Sequence, residues 1–331
     1  MSQQEKMIEA ASGALQDVLE INAQDNFLIL TDTHCKSIAE AFKQAAINKG
    51  CKVEKFEIDE STRPLKDVPK ELEKLLTGKT VVLNILKAFA EELPFRIKWI
   101  FKVEENKQIR MGHMPGITEQ MMLDSVNVNY QEMRSKADSL RKLLDNAGQL
   151  HITTEEGTDV MLGIKNRTFV SDVGVKPGEM CNLPCGEIYC APLEKEANGI
   201  VVFNASVGDI GILDTPLKAY LENGRVIKFD SEDEKLVEKI SRLQNIDEDS
   251  MVIGELGIGI NPKARITGNM LEDEKVIGTA HIAFGNNADF PGGGNNRSKI
   301  HRDYLFYRPT IEVKYFEGTK KLIMKNGKVD L

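Results

Sequence analysis

Apolar positions along the first half of the chain switch repeatedly between helical and strand spacing. Residues 3–21 place Met7, Ile8, Ala11, Leu15, Val18 and Leu19 on one helical face, and Asn26-Phe-Leu-Ile-Leu-Thr31 follows as a short buried strand. From Ser37 to Asn48 the apolar set is Ile38, Ala41, Phe42, Ala45 and Ala46; Gly50 then stops the helix and Lys52–Ile58 alternates as a strand. Leu72–Leu76 and Thr80–Leu86 repeat the pair. Strands alternating with helices predict a doubly wound, largely parallel sheet. No Gly-x-Gly-x-x-Gly follows the first strand, so the pattern does not point to a dinucleotide site. A long helix from Ile117 to Asn146, interrupted near Val126–Asn129, closes this half at Gly148.

Beyond that glycine the texture changes. Gln149–Thr154, Gly199–Phe203, Gly224–Phe229 and Thr310–Phe316 read as strands, and most of the 26 glycines lie here. The expectation is an α/β protein of two domains. Residues 1–148 form an N-terminal doubly wound α/β domain, and residues 149–331 a β-rich α+β domain, with the active site facing the cleft between them.

Composition narrows the function. The 331 residues carry 43 Lys and Arg against 51 Asp and Glu, a net charge of −8, and neither half is basic. Nucleic acid and anionic membrane surfaces both require basic patches, so neither is an expected partner. No apolar run approaches the ~20 residues of a membrane span, and the acidic first turns do not read as a secretory signal. A cytoplasmic location is the expectation. Five cysteines, an odd number, argue for free thiols over a disulfide framework.

The informative residues are ionisable groups set in apolar surroundings, because a buried charge costs several kcal/mol unless it is paired or bound to metal. Glu255 is the one charge in Met251-Val-Ile-Gly-Glu-Leu-Gly-Ile-Gly-Ile260; His281 lies in Gly278-Thr-Ala-His-Ile-Ala-Phe284. His301 and Asp303 lie in Ile300-His-Arg-Asp-Tyr-Leu-Phe306, and Glu187 follows Leu183-Pro-Cys-Gly186. On a strand, residues i and i+2 face the same way, which sets the His301 imidazole beside the Asp303 carboxylate. Taken singly, each is more often a hydrogen-bonded core residue. Together they offer a mixed nitrogen and oxygen donor set suited to zinc, cobalt, manganese or Fe(II), as one ion or a carboxylate-bridged pair.

Four segments carry a family resemblance. Asn182-Leu-Pro-Cys-Gly-Glu-Ile-Tyr-Cys-Ala-Pro192, Gly254–Lys263, Gly278–Gly285 and Ser298-Lys-Ile-His-Arg-Asp303 resemble, in order and spacing, the aminopeptidase T/S-like leucyl aminopeptidases over about residues 150–310. The resemblance implies a metal-dependent aminopeptidase that cleaves N-terminal residues from peptides, and a homodimer. It assigns Glu187, Glu255, His281, His301 and Asp303 as ligands of one or two divalent metals. Glu187 and Glu255 are also the candidate catalytic carboxylates. The family's ligand Tyr, seven residues after the first His, is Ala288 here, with Asp289 beside it. In that respect the chain is similar to a short branch that includes iron-dependent dihydroxypyridine dioxygenases, where two His and one Asp hold Fe(II). The alternative is therefore a mononuclear Fe(II) ring-cleaving dioxygenase using His281, His301 and Asp303 on a hydroxylated aromatic or pyridine ring. A non-catalytic member that has lost its metal is a further alternative.

Other candidates rank lower. His113, in Arg110-Met-Gly-His-Met-Pro-Gly116, reads as part of a turn-rich segment that lets its imidazole reach across as a general base, and Arg110 as a contact for a substrate carboxylate. Cys181, Cys185 and Cys190 lack the repeated spacing of a structural zinc site and read as small buried thiols. The glycines of Pro291–Asn296 suit a backbone passing close to the site, and Phe284, Phe290 and Tyr304 are candidates to line a pocket.

Overall fold

In the computed structural model, residues 1–288 and 290–329 are described. They divide into two compact units: Met1–Arg134 with Asp172–Cys185, and Ser135–Ser171 with the chain from Gly186 onward. This is not a single cut at 148/149. Met180–Asn182 returns to the first unit because it adds a strand to that unit's sheet.

The first unit is a five-stranded parallel sheet. Its strands are β1 (Asn26–Thr31), β2 (Lys52–Glu57), β3 (Val81–Leu86), β4 (Arg110–Pro115) and β5 (Met180–Asn182), in the order β2-β1-β3-β4-β5. Both alternate sets of β1 and β3 are buried, as a sheet covered on both faces requires. On one face Leu28, Leu30 and Val82 pack against Phe95, Trp99 and Val103. Those three lie four apart on the helix Leu93–Glu104, which has Pro94 in its first turn. The helix expected over 117–146 is two, Glu119–Leu123 and Tyr130–Leu144, and its break falls where the sequence placed it.

The segment around His113 is not a turn. Arg110 to Met114 are all buried, because β4 is an interior strand between β3 and β5. Gly112 at its centre permits this, since a Cβ there would stand 2.9 Å from the Leu83 side chain.

Two antiparallel sheets build the second unit, confirming the mixed α/β class with a β-rich second half. One has eight strands, in the order Arg225–Asp230, Leu217–Glu222, Ala197–Phe203, Asp159–Gly163, Ala147–Thr153, Thr310–Tyr315, Lys320–Lys325 and Lys328–Val329. The other centres on β6 (Glu187–Cys190), β7 (Ile253–Gly259), β8 (Thr279–Gly285) and β9 (His301–Tyr307), which lie side by side as β9-β8-β7-β6. The sheets pack through aromatic rings. Phe203 and Phe229 of the first sheet meet Phe284 and Tyr304 of the second, the Phe229 and Tyr304 rings stacking at 5.9 Å. Phe284 and Tyr304 are therefore core residues with no exposed surface, and neither lines a pocket.

Candidate metal centre

Strand alternation decides which side chains share a face. On β8, Ala280, Ile282 and Phe284 enter the core, so Thr279, His281 and Ala283 turn the other way. On β9, Tyr304 and Phe306 take the core side and leave His301 and Asp303 opposite it. The register pairs Ala283 with Asp303 and Gly285 with His301 across these strands. On β7, Glu255 pairs with Ala283 and Gly257 with His281; on β6, Glu187 pairs with Gly259. All of Glu187, Glu255, His281, His301 and Asp303 thus lie on one face of four adjacent strands.

Glycines make the room. A Cβ on Gly257 would fall 2.0 Å from His281 Nε2, and one on Gly259 would fall 2.1 Å from the Val276 carbonyl oxygen. The Gly-Glu-Leu-Gly-Ile-Gly sequence of β7 thus alternates apolar core contacts with a site face on which Glu255 is followed by side-chain-free Gly257 and Gly259.

The functional groups converge tightly. Glu255 spans two imidazoles: its Oε1 is 3.4 Å from His281 Nε2, and its Oε2 is 3.0 Å from His301 Nε2. Glu187 Oε2 is 3.4 Å from His281 Nε2, and Asp303 Oδ1 is 3.4 Å from His301 Nε2. His301 Nδ1 donates to the Asn286 carbonyl at 2.7 Å, which orients the ring and turns Nε2 toward the carboxylates. Among the described residues, three sets bring potential ligand atoms within 4.8 Å of one another: Glu187, Glu255 and His281; Glu255, His301 and Asp303; and Glu274, His281 and Asp303. Glu255 belongs to the first two.

The charges are mutually dependent. Burial alone would push His281 down, but its hydrogen bond to Glu255 and the charges of Glu187, Glu255 and Asp303 lift it to about 9. His301, whose side chain stays 28% exposed, behaves alike: partial burial opposes its charge, and Asp303 and Glu255 hold it well above the ordinary histidine value. Burial would raise Glu255, yet its bonds to the two imidazoles bring it to about 2. The carboxylates draw positive charge into the cluster, and protons on the imidazoles supply part of it. A divalent ion would do so more fully. Asp303 Oδ1 is buried and receives no hydrogen bond, as expected of an oxygen whose partner is a cation.

Two members escaped sequence reasoning. Glu274 and Lys275 lie in Leu271-Glu-Asp-Glu-Lys275, a charged run that reads as a solvated face. In the structure the Lys275 side chain is 1% exposed; its Nζ donates to Glu187 Oε1 and sits 2.8 Å from Glu274 Oε1. The run leaves the short helix Met270–Asp273 in a turn, and the side-chain-free surface of Gly259 admits its backbone against β7. No periodicity carries that signal.

The remaining candidates have other partners. His113 is buried on β4 in the first unit, its Nδ1 3.1 Å from Asn84 Nδ2, while Asn84 Oδ1 accepts from Trp99 Nε1 at 2.7 Å. Burial, then the nearby Arg96 charge, lowers His113 to about 3, so its imidazole is neutral at neutral pH. Arg110 is buried in the same unit, paired with Asp25 and donating to the carbonyls of Leu19 and Glu20. Cys181, Cys185 and Cys190 are buried thiols not joined in disulfides. In the glycine-rich loop, Gly294 lies against the Asn287 carbonyl, where a Cβ would come within 2.0 Å. Phe290, which opens that loop, packs on the His301 ring at 5.6 Å and edge-on to Tyr189 at 5.5 Å. Asp289 lies outside the described residues.

Comparison with known proteins gives a consistent picture. The family model described as thermophilic metalloprotease (M29) matches residues 116–329. Aminopeptidase T of Thermus thermophilus is 29% identical over 195 residues, covering 52% of this chain and 47% of that protein. Aminopeptidase T of Thermus aquaticus is 27% identical over the same length and shares. The matched stretch therefore spans about half the length of these relatives. In fold, the chain is similar to wild-type AmpT from Thermus thermophilus, with a TM-score of 0.72, 16% identity and full coverage of both chains. It is also similar to 2,5-dihydroxypyridine dioxygenase from Pseudomonas putida KT2440, with a TM-score of 0.77, 17% identity and coverage of 100% and 98%.

Proposed function

Because the chain belongs to the thermophilic metalloprotease (M29) family, we propose that it is a metal-dependent aminopeptidase that removes N-terminal residues from peptides. The observation that carries this reading is Glu255, which offers one carboxylate oxygen toward His281 and the other toward His301. That is the geometry of a bridging ligand. Glu187, Glu255 and His281 would hold one divalent ion, and Glu255, His301 and Asp303 the other. Such a pair, of zinc, cobalt or manganese, would lower the pKa of a bound water and polarise the scissile carbonyl.

The chain's own groups do the rest. Glu187 and Glu255 serve as ligands. Glu274, a carboxylate within the cluster beyond those needed as ligands, is assigned proton transfer from the attacking water to the leaving amine. His301 is oriented by Asn286, and His281 is seated over Gly257. His113 has no part in the step; its neighbours Asn84 and Trp99 account for it.

Ala288, in place of the family tyrosine, favours the second reading, a mononuclear Fe(II) dioxygenase on a hydroxylated ring. That centre needs both imidazoles and one carboxylate around a single ion. Among the described residues, none of the three ligand sets contains both His281 and His301, which supports the hydrolase.

A homodimer and a cytoplasmic location belong to the same proposal; no helix among the described residues is long and apolar enough to cross a membrane. The deciding assay offers aminoacyl anilides and their N-acetylated counterparts to the metal-loaded protein, with oxygen uptake on aromatic diols measured alongside. Cleavage confined to free amino termini supports the peptidase. Oxygen uptake without cleavage would replace it with the dioxygenase.

A further inference from the structure

Strand alternation puts one more side chain on the face that carries the ligands. On β6, Ile188 and Cys190 enter the core, so Tyr189 turns to the same side as Glu187. The register sets Tyr189 opposite Gly257, which in turn lies opposite His281. Because Gly257 carries no side chain, the His281 ring lies over it, and Tyr189 is the next side chain along that row.

Phe290 covers this face. Its ring stands edge-on to Tyr189, with centroids 5.5 Å apart and planes at 79°, and lies 5.6 Å from the His301 ring. Tyr189 is on β6 and His301 on β9, the outer two of the four strands that carry the ligands, so a ring that reaches both spans the ligand-bearing face. Its backbone is held from both sides: Phe290 N donates to the Asn287 carbonyl at 3.1 Å, and Gly293 N donates to the Phe290 carbonyl at 3.2 Å. Asn287 and Asn296 close the base of the loop, Asn287 N donating to the Asn296 carbonyl at 3.0 Å and Asn296 N to Asn287 Oδ1 at 2.8 Å. Glu194 then accepts from Asn295 N at 2.8 Å and from Asn287 Nδ2 at 3.3 Å. The ring is presented on a braced backbone, which limits the ordering that binding must impose.

Both rings keep surface for a further contact. Tyr189 and Phe290 are half-buried, whereas Phe284 and Tyr304 are wholly within the core. His301, against which Phe290 packs, is also the most exposed of the five ligands, and His281 is fully buried. The cluster therefore opens beside an aromatic wall. The flank made by Glu274 and Lys275 is charged by contrast.

Building on the aminopeptidase reading above, we infer that Phe290, braced by Tyr189, is a specificity-determining residue that selects peptides with an aromatic first residue. The first residue's Cα is bonded to the scissile carbonyl carbon, so with that carbonyl at the ligand cluster its side chain meets whatever borders the open side. A third ring packs edge-on or offset against the exposed part of the pair and gains more than its buried area alone supplies. An aliphatic side chain gains the burial without the ring contact, and a charged one loses hydration against apolar rings.

The test uses metal-loaded protein and the peptides Phe-Gly-Gly and Leu-Gly-Gly, which differ only in the first residue. In the wild-type protein kcat/KM for the phenylalanyl peptide is expected to exceed that for the leucyl peptide by about threefold to tenfold. Calorimetry should show free L-phenylalanine, the reaction product, binding more tightly than free L-leucine by a similar factor. Phe290→Leu keeps apolar bulk and removes the ring, so both preferences should fall to about one while metal content holds. Phe290→Tyr keeps the ring and retains them. A disturbance of His301 would slow both peptides alike, so the ratio separates recognition from metal loss. A wild-type protein with no preference for the phenylalanyl peptide, or an undiminished ratio in Phe290→Leu, would overturn the inference. If Phe290→Leu does not fold, the wild-type ratio and its retention in Phe290→Tyr decide the matter. Failure of the metal-loaded protein to cleave either peptide would instead overturn the aminopeptidase reading on which the inference rests.

Discussion

Gly257 and His281 face each other across paired strands so closely that the glycine cannot carry a side chain: an ideal Cβ on Gly257 falls 2.0 Å from His281 Nε2. The ring cannot retreat, because it is fully buried. Gly257→Ala is therefore expected to displace the imidazole from the cluster. Overpacking of this kind costs about 1–3 kcal/mol. The diagnostic loss is metal: equilibrium dialysis of the folded variant should show at least one ion fewer than wild type. A variant that keeps full metal content would remove the glycine floor from the account of the site.

The imidazoles set the pH behaviour of the metal-stripped protein. His281 stands at about 9 in the folded state, above the ordinary value of 6.5, because its carboxylate neighbours outweigh burial. A raised folded value means that the protonated ring stabilises the fold fully below pH 6.5, and that this contribution is lost as pH rises through about 9. Melting temperature of the stripped protein should fall over that window. Metal on the same nitrogen excludes the proton, so the loaded protein should lose much less stability there, and loading at pH 7 should release protons. Calorimetry in buffers of different ionisation enthalpy reads the release directly. Metal uptake without proton release would contradict the ligand assignment of His281.

Glu274 distinguishes proton transfer from ligation. Glu274→Gln keeps the size of the side chain and removes the base. General acid–base catalysis contributes about 10²–10⁴-fold, so kcat should fall by at least about 100-fold while KM and metal content at saturation hold. A variant within about threefold of wild-type kcat would return that role to Glu187 or Glu255.

His113 gives a prediction in the opposite direction. His113→Ala leaves Asn84 Nδ2 without its ring partner inside the first sheet. Losing one partner of a buried hydrogen bond costs about 1–3 kcal/mol. Melting temperature should drop, and kcat per folded molecule should not change. A large fall in kcat at unchanged stability would restore His113 to the reaction.

How much of this was legible follows from what alternation can report. Glu255, His281, His301 and Asp303 were readable because each interrupts an apolar strand, and strand periodicity then puts them on one face. Glu274 and Lys275 were not, because their burial depends on a close approach to Gly259 from a distant segment. His113 was misread for a related reason. Gly112 and Pro115 suggest a turn locally, whereas the parallel pairing of β4 between β3 and β5 is decided by strands distant in sequence. The return of Met180–Asn182 to the first sheet is likewise a long-range pairing, with no mark in the residues between. Phe284 and Tyr304 looked available to a substrate because the second sheet that covers them is built from other strands.

The most direct test of the central claim is the number and kind of metal ions per chain. It calls for elemental analysis of protein purified anaerobically without chelator and brought to saturation by dialysis against dilute metal. The expected result is two zinc, cobalt or manganese ions per chain. A single iron, with no capacity for a second ion, would contradict it and make His281, His301 and Asp303 the ligands of an oxygenase.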